Sequence, residues 1–216
     1  MSVEMITFPS RGEWLKNRRI GASESSCIVG MNPWKTNIEL WEEKTGLRQP
    51  EDISDNDAVR YGSQAEAPIR QIFRLDHPEL TVHYKKNNLW TNTKYPWASC
   101  SLDGWLTEKE TGKKGVFEVK TTNILQSMQR EKWKDQIPNN YYCQCLFAMA
   151  ITEFEFTVLR AQMKTIWNGE IRLATRDYRI DLDDVREDME YLMNESGKFA
   201  ECVEKKIRPA LILPAI

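Results

Sequence analysis

Hydrophobic and polar positions follow two rhythms along this chain, and the change from one to the other falls near residue 80. Before it, apolar residues recur every three or four positions, the helical period. Residues 11–18 make a short helix candidate. Ser23 can cap a second helix that runs to Val29 and stops at Gly30. In 36–44, Thr36 is followed three residues later by Glu39, a capping-box pattern, and Gly46 lies just past the end. The polar, acidic stretch 48–57 reads as a loop between helices. The longest periodic segment, 57–75, sets Val59, Gly62, Glu66, Ile69 and Phe73 on one inward face.

From residue 80 the period shortens to two. Residues 80–90 and 97–106 are rich in β-formers, and 107–114 is a polar hairpin connection. In 115–122 the alternation places Val116, Glu118 and Lys120 on one face, with Phe117 and Val119 on the other. A helix over 141–150 follows, with Asn140 as its cap, then a strand over 154–161. A shorter strand, 178–182, leads to a last helix at about 183–206, which Asp183 or Asp184 can cap. Helices, antiparallel strands, helix, strand, helix in that order predict an α+β or mixed α/β core.

Composition narrows the picture modestly. With 216 residues, 41% of them hydrophobic, the chain can bury one sizeable core, and a single domain over 1–216 is expected. There is no internal repeat, low-complexity tract or Pro/Gly/Ser linker. The net charge is −2 and the pI about 5.9. If nucleic acid is the partner, positive charge must be confined to a channel or pocket. The five cysteines lack paired C-x-x-C spacing, so neither a zinc site nor a disulfide framework is indicated. No leader-like start and no apolar run long enough to cross a bilayer is present. A reduced, cytoplasmic protein with no membrane partner is the expectation.

The chemistry lies in four residues. Glu66 sits in the middle of an apolar stripe, where an uncompensated carboxylate costs several kcal/mol. Glu118 and Lys120 project side by side from one strand face. If the two strands form a hairpin, Asp103 can converge with Glu118. Converging carboxylates repel unless a hard divalent cation such as Mg²⁺ or Mn²⁺ lies between them. The Val119 carbonyl can add an oxygen ligand, and Lys120 can orient a water and stabilise charge on phosphate. This layout suits metal-assisted phosphodiester hydrolysis. The bland alternative is an E-x-K pair on a solvated strand face; the company of Asp103 and Glu66 argues against it.

Asp103 followed by Glu118-Val119-Lys120 resembles the active-site motif of the PD-(D/E)xK nuclease superfamily. Further segments narrow the resemblance: Arg19-Ile-Gly-Ala-Ser-Glu24, Asn32-Pro-Trp-Lys-Thr36, Glu39-Leu-Trp-Glu-Glu-Lys-Thr-Gly46, Gly62-Ser-Gln-Ala-Glu66, Ser101-Leu-Asp103-Gly and Tyr141-Tyr-Cys-Gln144. Together they resemble the YqaJ-like viral recombinases, the family of phage lambda exonuclease, from about Trp14 to Ala150. The residue before Asp103 is Leu102, where the superfamily motif carries proline. The resemblance implies a restriction-endonuclease-like core, a central mixed sheet flanked by helices, with the motifs in about 14–161.

It also implies roles. Asp103, Glu118 and the Val119 carbonyl resemble metal ligands, Glu66 the helix carboxylate that completes the site, and Lys120 the catalytic lysine. Two Mg²⁺ ions per site are implied, with Mn²⁺ as a substitute. Ser23, Ser101, Gln144 and one arginine of the Arg18–Arg19 pair are similar to residues that hold a terminal 5′-phosphate. Ser23 also reads as a plain helix cap and Gln144 as a member of a buried polar network. Trp34 reads as a core plug in preference to a strand-separating wedge. The implied activity is 5′-to-3′ degradation of one strand of linear double-stranded DNA, by a homotrimeric ring that passes the overhang to a single-strand annealing protein. A phage or prophage origin follows from the same resemblance. The rival readings are another nuclease on the same core and a non-catalytic DNA-end-binding module.

Overall fold

A computed structural model describes residues 2–53, 55–124 and 127–213. Its first part forms strand β1 (Val3–Thr7), helix α1 (Arg11–Asn17), β2 (Ile20–Gly21), α2 (Ser25–Ile28) and α3 (Asn37–Lys44). The long helix α4 (Asp57–Asp76) leads to β3 (Leu80–His83), β4 (Asn88–Asn92), β5 (Ala98–Ser99), β6 (Gly104–Glu108) and β7 (Lys114–Asn123). Then come α5 (Ser127–Glu131), α6 (Asn139–Thr152), β8 (Phe156–Trp167), β9 (Glu170–Asp181) and α7 (Arg186–Glu204).

Five strands build the central sheet in the order β3-β6-β7-β8-β9. Its neighbours are antiparallel except β7 and β8, which run parallel with Glu118 opposite Leu159. A parallel pair needs a crossover, and α5 and α6 supply it. Each face of β7 then meets a different helix, as the alternation of its side chains requires. On one face Phe117 and Val119 pack with Ile69 and Phe73 of α4; the Phe73 and Phe117 rings lie 4.4 Å apart. On the other, Val116 packs with Leu146 and Phe147 of α6. From Cys143 to Thr152 every residue of α6 except Gln144 is buried. A helix apolar on every side belongs inside, and α7 covers it through Leu192, Met193 and Phe199. The mixed α/β core, a mixed sheet flanked by helices, is therefore the architecture that forms.

Local signals hold where the contacts that make them are local. Thr36 caps α3, accepting from the Glu39 N–H at 3.2 Å while Glu39 accepts from the Thr36 N–H at 2.9 Å. Gly46 takes a φ of +79° just beyond it. In α4, Ile69 and Phe73 are buried, Gly62 and Glu66 half-buried, but Val59 is exposed.

Several expectations are corrected. Residues 80–90 form no single strand: β3 joins the central sheet, whereas β4 pairs with the unexpected β1. The two are separated by a turn with Asn87 at a φ of 51°. The span 97–106 likewise divides into β5, paired with β2, and β6. The strand expected at 178–182 is the end of the longer β9. Its hairpin with β8 turns at Asn168 and Gly169, both at positive φ, a dipeptide suited to a two-residue turn. Helix α6 begins before Asn140 and has no side-chain cap. Asp183 and Asp184 lie in a short 3₁₀ turn ahead of α7 rather than capping it. Trp34 is no core plug, for it is 74% exposed. Among the described residues no helix is long and apolar enough to cross a membrane.

Phe117 is fully buried between α4 and β8. Truncation in Phe117→Ala is expected to cost about 3–5 kcal/mol through the cavity left behind, read as a lowered midpoint in urea unfolding with an unchanged slope.

Candidate active site

The ladder between β6 and β7 ends where Gly104 stands opposite Phe117. Beyond that point β7 keeps β8 on one edge as far as Asn123, but its other edge has lost its strand partner. Asp103, the residue just before β6, takes that place with a side chain: its carboxylate accepts a hydrogen bond from the Val119 N–H at 2.9 Å. The N–H and C=O of a strand residue point the same way, so the Val119 carbonyl faces this edge too. Glu118 and Lys120 flank it on the α6 face, and Glu66 approaches from α4 on the opposite face.

Glu118 is 4% exposed. One of its oxygens accepts from Lys120 Nζ at 2.6 Å and from Gln144 Nε2 at 2.7 Å. Lys120 also lies 4.9 Å over the Tyr141 ring. Burial pushes the Glu118 carboxyl up to about 7; Lys120 opposes this, and the charges of Asp103 and Glu66 add to it. Glu66 is likewise pushed up to about 7, by burial first and by Asp103 second. Burial also raises Asp103, against Lys120, the Val119 N–H and Arg70. Lys120 is held above its ordinary value because Glu118 and Asp103 outweigh its own burial. Three carboxylates thus crowd one strand edge, each resisting ionisation.

A cleft of about 200 Å³ adjoins this edge, lined among others by Arg18, Ser23, Ser101 and Gln144. A second, of about 230 Å³, contains Glu66, Asp103, Arg11 and Tyr84. Trp14 and Ser101 border both. Four of the five residues expected around a phosphate therefore share one wall. The fifth, Arg19, does not: its Nη1 donates to the Pro96 carbonyl at 2.5 Å, away from the cleft. Gly21 leaves room for Arg18, since a Cβ there would meet Arg18 Nη2 at 2.9 Å. Ser23 is no helix cap. It lies exposed within the 3₁₀ turn Ala22–Glu24, where Glu24 instead accepts from the Gly21 N–H at 2.8 Å.

Three positioning residues gave no readable sequence signal. Buried Asn88 donates to the Leu102 carbonyl and accepts from the Leu102 N–H, both at 2.9 Å, standing in for a strand partner beside Asp103. Trp14 Nε1 donates to Ser101 Oγ at 2.9 Å and to the Asn88 carbonyl at 3.0 Å. Arg70, 6% exposed, donates to the Asp103 carbonyl at 2.6 Å and stacks 3.7 Å over the Tyr84 ring. Each serves a contact more than a dozen residues away, which no local pattern encodes.

Among the described residues no three His, Cys, Asp or Glu side chains stand as a ready-made ion cluster; Asp103 and Glu118 hold protein donors instead. The donor chemistry nevertheless fits a hard divalent cation. The groups able to ligate are carboxylate oxygens, their charge is undercompensated, and a backbone carbonyl faces them. Asp103, Glu118, the Val119 carbonyl and Glu66 are the groups that would hold it.

A lysine and carboxylates around the open edge of a mixed sheet define a core of the PD-(D/E)xK kind. The YqaJ-like viral recombinase domain matches residues 13–155. The uncharacterized protein YqaJ of Bacillus subtilis (strain 168) is 31% identical over 166 residues, which are 73% of this chain and 49% of that protein. The chain belongs to the YqaJ-like viral recombinase family, and it spans about half of that relative's length. The fold is similar to the crystal structure of an alkaline exonuclease from Laribacter hongkongensis. The TM-score is 0.61 at 16% identity, over 91% of this chain and 96% of that one. A phage-related exonuclease from Haemophilus somnus 129PT has a TM-score of 0.52 at 11% identity, covering 91% and 100%.

Because burial raises the Glu66 carboxyl to about 7, its contribution to stability is complete below about 4.5 and lost as the pH rises through about 7. In EDTA, melting temperature is expected to fall across that window, and to fall less in Glu66→Gln, which has no such proton to lose. Identical pH slopes for the two proteins would contradict the crowding described here.

Proposed function

We propose that this chain is a divalent-metal-dependent exonuclease acting on linear double-stranded DNA. It degrades one strand from the 5′ end and leaves a 3′ overhang for recombination by strand annealing. The observation that carries this reading is the adjacency of the two clefts: an anion pocket with a guanidinium and hydroxyls shares its Trp14–Ser101 wall with the carboxylate edge. A terminal phosphate beside Arg18 would set the next phosphodiester at Asp103 and Glu118.

Arg18 offers a planar donor pair to phosphate, with the Ser23 hydroxyl beside it, while the Ser101 hydroxyl donates to the Asn88 carbonyl at 2.6 Å and shapes the wall. Lys120, held charged by Glu118, can orient a water for attack and stabilise the developing charge. Gln144 and Lys120 both fix the same Glu118 oxygen, Oε1. Mg²⁺ at Asp103, Glu118, Val119 and Glu66 would supply positive charge at the scissile phosphate and a more acidic water. The pairing of a buried lysine with these carboxylates is superfluous in a module that only binds DNA ends. The reading extends to a ring of three chains around DNA that hands its overhang to a single-strand annealing protein. Positive charge lining such a channel would reconcile DNA binding with a net charge of −2.

The test is digestion of a linear duplex labelled on a 5′-phosphorylated strand. Nucleotide release is expected with Mg²⁺, none with EDTA, and a loss of about 10²–10³-fold in Lys120→Ala. Equal attack on circular DNA would make the protein an endonuclease; no cleavage with any divalent metal would sink the enzyme reading.

A companion pair separates the two arginines. Arg18→Ala should slow phosphorylated ends about tenfold or more and erase their advantage over hydroxyl ends. Arg19→Ala should leave both substrates as they are.

A further inference from the structure

A depression of about 430 Å³ opens on the α4 face of the sheet, between the first turns of α4, the carboxyl end of β7 and the second half of β8. Its floor is Thr121, Thr122 and Asn123, the three residues after Lys120, with Gln162 and Lys164 of β8 opposite Thr121 and Asn123. Arg60 and Tyr61 of α4 form a wall. The Tyr61 hydroxyl donates to Gln162 Oε1 at 2.7 Å, and Lys164 Nζ lies 6.0 Å from the Tyr61 ring centre. Arg60 makes an exposed pair with Asp57 at 2.6 Å. Among the described residues the lining holds no aliphatic side chain larger than Ala58. Hydroxyls, amides and two cations, one of them paired with the Asp57 carboxylate that also lines the depression, leave a positive surplus that suits a hydrated anionic polymer and poorly suits an apolar ligand.

The depression also lies where a strand would have to go. Crevices outside the carboxyl ends of parallel strands are common ligand sites in α/β sheets. Lys120 and Thr121 are consecutive on β7. Gly62, whose added Cβ would come within 3.2 Å of Thr121 Oγ1, is one helical turn from Glu66. The depression therefore begins one residue beyond the reacting centre. The surface spans β7 and its partner β8 on the face from which Glu66 approaches, so a strand whose first phosphodiester lies at Asp103 and Glu118 would reach it next on passing Lys120.

We propose that the depression is a DNA subsite, binding the hydrolysed strand immediately 3′ of the scissile bond. Arg60 and Lys164 meet its phosphates, and the threonine hydroxyls and the Asn123 and Gln162 amides meet its sugars and bases. This rests on the exonuclease reading.

The experiment uses Lys120→Ala as parent, so that a fluorescent, 5′-phosphorylated linear duplex survives the measurement. Adding Arg60→Glu and Lys164→Glu is expected to weaken duplex binding about tenfold or more. It should also flatten the dependence of log affinity on log salt by about two, near 0.9 per phosphate contact. Binding of dAMP, which reaches only the anion pocket, should not change. Unchanged duplex affinity and salt slope would overturn the subsite, as would an equal loss for dAMP. If the charge reversals lower the melting temperature, Arg60→Gln with Lys164→Gln gives the same comparison with a smaller loss. A parent that binds no duplex, from a wild type that degrades none, would overturn the exonuclease reading and the subsite with it.

Discussion

The reacting centre depends on where one hydrogen-bond ladder stops. β6 and β7 part at Gly104 and Phe117, and had they stayed paired, Asp103 would have been an ordinary strand residue with its side chain committed to one face. Instead Asn88 draws off the chain at Leu102, satisfying both its N–H and its carbonyl. Arg70 holds the Asp103 carbonyl from the other side. Buried backbone groups must be paired, so these two side chains allow the strand to end early inside the protein. The Asp103 carboxylate then caps the Val119 N–H that β6 no longer pairs, and the Val119 carbonyl beside it is turned toward the same opening.

The rest of the fold concentrates charge at that opening. Helices α4 and α6 cover the two faces of β7, burying Glu118 and half-burying Glu66, which raises both carboxyls toward 7. A second buried ionic group behaves in the opposite way. Arg160, 3% exposed, donates to Asp76 and bidentately to Asp177, which also bonds His77. Although burial works against it, Asp177 is held below its ordinary range by those partners. That network is satisfied and pins the end of α4 to the β8–β9 hairpin. The carboxylates at the β7 edge share one lysine and remain undercompensated, which is the mark of a site prepared for a cation or substrate rather than for stability.

Much of this was legible in the sequence wherever the cause is short-range. The Thr36–Glu39 capping box, the Ile69–Phe73 face of α4 and the alternation that sends Glu118 and Lys120 one way and Phe117 and Val119 the other all depend on neighbours within a few residues. The Asn168–Gly169 turn was equally local, yet the flanking segments lack a clean alternation, and β9 is exposed along most of its length. Trp34 carried no local sign that it would lie at the surface, because its exposure depends on what fails to pack over it.

By itself, then, the sequence determined the local periods, the caps and the inventory of acidic and basic groups, and the order of those groups was enough to resemble a nuclease family. The tertiary structure alone decided which edge of β7 stays open and which arginine faces the cleft. Ile20 pairs with Ala98, and the Arg19 N–H donates to Ser99 Oγ across some eighty residues of chain. Neighbouring side chains of an extended backbone point opposite ways, so that distant pairing turns Arg18 toward Ser101 and Gln144 and sends Arg19 to Pro96. Strand pairing is a contact between remote segments, and its register is set by the packing of the whole core rather than by the residues it orients.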